Sequence, residues 1–148
     1  MTYEYITRSA EETIELGRLI GERLRGGDII AYKGSMGAGK TTMTRGLTLG
    51  LGLGDTAFSP TFALVNEYRG EGLTLYHFDM YRIGSALDLE TTGFFDYLDD
   101  ESVLAVEWSE NIEEELPEER IIVTLERVDD DTRKITIDGD ERFAHLSN

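Results

Sequence analysis

Residues 28–51 read DIIAYKGSMGAGKTTMTRGLTLGL, and this stretch constrains the fold more than any other part of the chain. "DIIAYK" is a β-rich apolar run of the length expected for a buried strand. Gly34, Gly37 and Gly39 follow within six residues, and then Met43, Leu47 and Leu51 recur at helical spacing. Glycine inside an element costs stability, so such a run marks a close approach by a backbone, a tight turn or a phosphate chain. Gly34 to Thr41 decides between them, because it fits G-x-x-x-x-G-K-[ST] between a strand and a helix, where that pattern operates. The glycines let consecutive N–H groups curl around phosphate oxygens at the positive end of a helix. On this reading the backbone of the loop and of the start of the helix cradles a phosphate chain. Lys40 reaches the β- and γ-phosphates as a point charge, and the Thr41 hydroxyl ligates Mg²⁺.

A phosphate loop of this kind needs an acid to hold the metal, usually at the end of a buried strand. Two residues qualify: Glu107, closing "VLAVE", and Asp79, closing "LTLYHFD". We expect both to serve, with Glu107 nearer the metal and Asp79 behind it or positioning water; the residues leave open which dominates. Thr61 of "SPTF" offers a hydroxyl on a loop where a nucleotide-sensing switch would sit, although an ordinary turn explains it equally well. Trp108, the single tryptophan, follows Glu107 directly and by itself reads as core or interface. Arg82 could stabilise phosphoryl charge, but an exposed strand-end arginine is the commoner explanation. His77 reads as a packed histidine rather than a base, and neither histidine belongs to a metal-ligand cluster.

The rest of the chain supports one α/β domain spanning residues 1–148. Ser9 and Glu12 have capping-box spacing ahead of a helix with Ile14, Leu19, Ile20 and Leu24 on its apolar face, expected to stop at Gly26-Gly27. Residues 61–82 read as two strands joined through Gly70–Gly72. Residues 85–98 read as a helix, 102–108 as another buried strand, and "RIIVTLERV" with "RKITIDG" as a closing strand pair around the acidic turn 129–131. The fold class expected is a phosphate-loop NTPase domain, a mixed sheet with helices on both faces.

Cysteine is absent, which excludes disulfides and thiolate metal sites. No apolar run approaches the roughly 18–20 residues that span a bilayer, and the N-terminus does not read as a signal peptide, so a cytoplasmic protein is expected. The net charge of −16 is unevenly placed. Residues 1–86 carry nine Lys and Arg against ten Asp and Glu, whereas residues 87–148 carry five against twenty. A nucleic-acid binder acting alone normally shows the opposite sign over some broad face, so the acidic half is read as solvated surface or as facing a basic partner. Only three lysines occur, and an acid-rich, lysine-poor surface suits a high-salt host. Neither N/T-K-x-D nor D-x-x-G occurs, so guanine recognition is not indicated. The acid-dominated second half also leaves little material for an arginine-rich kinase lid.

"GSMGAGKTT", "SPTF", "YHFDMYR" and "VEW" occur in the order, and at about the spacing, of the bacterial TsaE family, which this chain resembles over roughly residues 5–125. These are small ATPases of the tRNA threonylcarbamoyladenosine (t⁶A) pathway. The resemblance implies ATP binding with Mg²⁺ and slow hydrolysis. It also implies work alongside a TsaB–TsaD pair that modifies adenosine 37 of tRNAs reading ANN codons, with tRNA met only through those partners. Carried over, Gly37 to Thr42 hold the phosphates, Thr41 and Glu107 serve the metal, and Asp79 and Thr61 match switch and catalytic positions. Trp108 follows the acid as in the family, and the start of the first helix, Ser9 to Thr13, approaches the base. The family usually has Asp-Leu where Ser35-Met36 stands here; the backbone grip should survive, whereas any tuning role of that aspartate is lost. Two other functions fit the same motif: an ATP-gated binding switch with incidental hydrolysis, and a small-molecule kinase.

Overall fold

The structure is a computed structural model that describes residues 1–34, 38–53, 65–69, 72–79, 100–107, 109, 114 and 116–146, with only the backbone described at 65, 66 and 79. The strands are β1 (Thr2–Thr7), β2 (Ile29–Lys33), β3 (Val65–Tyr68), β4 (Thr74–Asp79), β5 (Ser102–Glu107), β6 (Ile121–Arg127) and β7 (Arg133–Asp138). They form a seven-stranded sheet in the order β1-β7-β6-β2-β5-β4-β3. Its centre is parallel, with β2 between β5 and β6 and β4 beyond β5. Antiparallel strands finish both sides: β3 on β4, β7 on β6 and β1 on β7. The chain leaves β2, builds β4 and β5 on one side, and then crosses to β6 on the other. A mixed α/β sheet of this order opens a crevice outside the carboxyl end of β2, where the direction of winding reverses.

The closing strand pair and the β3–β4 pair form as their periodicity predicts. β1 is an addition: "TYEYIT" is an edge strand whose alternating Tyr3 and Tyr5 pack on the core while Glu4 and Ile6 face out. The helix expected over 85–98 lies outside the described residues, so the described helices account for one face of the sheet only.

Those helices are α1 (Ala10–Glu22) and α2 (Lys40–Gly50). Ser9 caps α1, its hydroxyl accepting the Glu12 N–H at 3.1 Å, and the helix ends at Arg23, three residues ahead of the expected Gly26-Gly27 stop. The two helices meet through glycines. A Cβ on Gly46 would stand 2.3 Å from the Ile14 carbonyl oxygen and 2.8 Å from Gly17 Cα. One turn on, a Cβ on Gly50 would stand 2.1 Å from the Arg18 carbonyl oxygen and 2.9 Å from Gly21 Cα. Gly17 and Gly21 face Gly46 and Gly50 at matching four-residue spacing, so the backbones touch where side chains normally intervene. Beneath them Leu16, Ile20, Met43 and Leu47 meet Ile30, Tyr32, Val123, Leu125, Ile135 and Ile137 in one buried cluster.

Candidate active site

β2 is buried through Tyr32 and delivers Gly34 to the carboxyl edge of the sheet. Gly34 has φ +137° and a Cβ there would lie 2.4 Å from the Leu125 carbonyl oxygen, so both the turn and the neighbouring strand require glycine. Ser35, Met36 and Gly37 lie outside the described residues. Ala38 is buried, and Gly39 is the N-cap of α2 in the left-handed conformation, φ +105°, with no side chain capping the helix. The helix therefore starts with backbone N–H groups for which no cap is supplied, the arrangement that receives an anion.

Lys40 is 8% exposed, and its Nζ donates to the Gly34 carbonyl oxygen at 3.0 Å, so the ammonium lies folded across the loop that it closes. Thr41 is exposed and Thr42 half-buried at the first turn of α2. Thr44 faces the sheet, its hydroxyl bonded to the Lys40 carbonyl at 3.0 Å and to the Tyr32 hydroxyl at 2.8 Å. That pair pins the first turn of the helix to the strand feeding the loop. Ser109 adds a bond to the Tyr32 carbonyl at 3.2 Å from the segment that follows β5.

Glu107 closes β5 beside this loop, and the parallel register sets it opposite Asp79 at the end of β4. The two candidate acids are thus brought side by side by the backbone; the Asp79 side chain lies outside the described atoms. Glu107 is half-buried and its carboxylate Oε2 stands 2.9 Å from His77 Nε2. Burial alone would raise its pKa, but the His77 imidazole and then the Lys40 charge outweigh burial and hold the carboxyl below the ordinary glutamate value.

A cavity of about 480 Å³ runs along α2, bounded by Ala10, Ile14, Thr41, Thr42, Tyr68 and His77. The start of α1 therefore does border the loop's helix, through Ala10 and Ile14, while the Ser9 hydroxyl is engaged in capping. Thr61 and Trp108 lie outside the described residues. A larger cleft of about 900 Å³ opens at the opposite end of the sheet, around Arg25, Asp28, Arg120 and Arg142, and none of the loop residues borders it. Two contributions went unread in the sequence. Tyr32 and Thr44 bind loop strand to loop helix, and Arg133 at the start of β7 brings its Nε 4.0 Å from where a Gly39 Cβ would stand. Only the length of the β6–β7 pair could have signalled the second.

Among the described residues no group of three His, Cys, Asp or Glu side chains is arranged to hold a metal. The donors offered are instead a hydroxyl and an ionised carboxylate, hard oxygen ligands that suit Mg²⁺ when phosphate and water complete its shell. The uncapped α2 terminus and the folded-back Lys40 likewise fit a polyphosphate.

The family model for the threonylcarbamoyl adenosine biosynthesis protein TsaE matches residues 7–135. The tRNA threonylcarbamoyladenosine biosynthesis protein TsaE of Bacillus subtilis is 40% identical over 130 residues, covering 88% of this chain and 81% of that protein. Its namesake from Streptomyces coelicolor is 42% identical over 137 residues, covering 88% and 93% respectively. The crystal structure of Bacillus subtilis YdiB superposes with a TM-score of 0.76 at 35% identity, covering 99% of this chain and 91% of that one. A match of that extent, on a chain whose loop, acid-bearing strands and sheet order are those described above, means that the chain belongs to the TsaE family.

Proposed function

We propose that this protein is a Mg²⁺-dependent ATPase that supports the threonylcarbamoyl-transfer machinery forming t⁶A at position 37 of tRNAs reading ANN codons. The observation that carries the reading is the meeting of Lys40, the uncapped start of α2 and the ionised Glu107 at one end of the parallel strands. The names of its relatives supply the pathway.

Mg²⁺, when bound, neutralises phosphate charge and orients the terminal phosphate. The backbone N–H groups from Ala38 to Thr42 bind the phosphate chain at the helix terminus. Lys40 exchanges its bond to the Gly34 carbonyl for phosphate oxygens. Its charge then stabilises the extra negative charge that gathers on those oxygens as the terminal bond breaks. The Thr41 hydroxyl and the Glu107 carboxylate hold the metal, and Asp79, strand-paired to Glu107, serves beside it or orients water. Thr61 senses the terminal phosphate, and Trp108 with the start of α1 bounds the nucleotide.

The partner is a TsaB–TsaD-type pair in the cytoplasm, and tRNA is reached through it, because a chain of net charge −16 does not hold RNA by itself. Mg·ATP hydrolysis by the purified chain, alone and with such a pair, tests this. Weak activity that the pair raises, and that Lys40→Ala and Glu107→Ala abolish, is expected. A pair without effect on active wild type would overturn the pathway assignment. Binding to the pair that needs ATP and persists in a non-hydrolysing Glu107→Gln variant would favour the switch reading.

A further inference from the structure

His77 stands on β4 two residues before Asp79, with nine-tenths of its surface buried. The register sets Ala105 opposite His77 and Glu107 opposite Asp79, so the imidazole reaches diagonally to the acid on the neighbouring strand. Its ring is fixed from behind. The edge of the ring packs against Tyr32, with centroids 6.3 Å apart and planes at 77°. Tyr32 is in turn bonded to Thr44 on the loop's helix. Nε2 lies 2.9 Å from Glu107 Oε2, yet its N–H direction makes no well-aligned hydrogen bond, and this buried nitrogen finds no other partner among the described residues. Leaving a buried donor half-satisfied is expensive, and a packing role alone would be met by an apolar ring. A modest turn of the Glu107 carboxylate would align the bond. The Glu107 end of the pair is the freer one, since the imidazole is packed on Tyr32 and 9% exposed, whereas the Glu107 side chain closes β5 and is 18% exposed.

We propose that His77 is a positioning residue for Glu107: it engages Oε2 and so sets the rotation with which the carboxylate meets Mg²⁺. This deepens the nucleotide reading above and rests on it. In this role the imidazole acts through Glu107 and moves no proton. Its effect is to hold ready a carboxylate that would otherwise sample several rotamers. Partners one step behind a metal ligand typically contribute about 10–100-fold to metal affinity.

The test separates metal from nucleotide. A fluorescent ATP analogue is titrated onto the purified chain at rising Mg²⁺ and again in EDTA, and free Mn²⁺ is counted by electron paramagnetic resonance as a direct metal readout. His77→Phe keeps the ring against Tyr32 and removes the nitrogen. It should raise the half-saturating Mg²⁺ and Mn²⁺ concentrations by about 10–100-fold and leave binding in EDTA unchanged. His77→Gln, whose amide can donate from a similar place, should recover most of the loss. Should the phenylalanine variant fail to fold, His77→Leu takes its place. Equal losses with and without metal would overturn the proposal in favour of plain packing, and an unchanged metal requirement would overturn it outright. A wild-type chain that binds the analogue with no metal dependence would instead remove Glu107 from the metal, and the parent reading would fail first.

Discussion

Glu107 keeps its charge in a half-buried place because His77 and Lys40 offset the penalty of burial. A carboxyl whose folded pKa lies below its unfolded one adds stability above the ordinary glutamate value near 4.5, and that stability is lost as pH falls through the folded value. In urea titrations at several pH values, the stability advantage of wild type over Glu107→Gln should therefore be constant near neutrality and shrink below about pH 4.5. An advantage that grows on acidification would contradict the assigned sign. Lys40→Ala should weaken Mg·ATP binding by at least ~10-fold in calorimetric titration, since a buried charge-assisted contact is worth about 2–5 kcal/mol. That Lys40, Thr41 and Glu107 lie at one end of the parallel strands was legible because each belongs to a short local pattern. The His77–Glu107 contact was not, because it depends on the register of two strands that nothing within either strand announces.

α1 and α2 are joined where each helix is least helix-like in composition. Alanine is the better helix former by about 1 kcal/mol, so Gly46→Ala should stabilise an isolated α2. In the folded chain the new Cβ would stand 2.3 Å from the Ile14 carbonyl oxygen, and the helices must part. We expect a net loss of about 1–3 kcal/mol, a fall in melting temperature of roughly 3–10 °C. Gly72→Ala is the control: nothing among the described residues stands within 4 Å of that Cβ, so its melting temperature should hold or rise slightly. The apolar spacing of both helices could be read from the chain, but the facing glycines needed a partner helix before they meant anything. β1 was missed for a related reason. Its alternation of Tyr3 and Tyr5 is short, and its partner β7 lies at the other end of the chain. The strands β2 and β5 were easier, because buried parallel strands appear as continuous apolar runs.

The two ends of the sheet carry different duties. At the carboxyl edge of β2 sits the loop with its acids. At the far end Arg142 bonds Asp28 at 2.8 Å, Phe143 is fully buried, and the Tyr5 hydroxyl donates to the Phe143 carbonyl. Phe143→Ala should cost about 3–5 kcal/mol in unfolding experiments while leaving nucleotide affinity at 20 °C unchanged. A parallel loss of affinity would mean that the two ends are coupled. With a net charge of −16 the folded chain repels itself, so its melting temperature should climb as NaCl rises and screens that repulsion. The most direct test of the whole account is multiple-turnover formation of t⁶A on tRNA. A TsaB–TsaD pair supplied with a threonylcarbamoyl donor and ATP would be assayed with this chain, with its Lys40→Ala variant, and with neither. Product well beyond one t⁶A per complex is expected only with the wild-type chain. Equal turnover in all three reactions would contradict it.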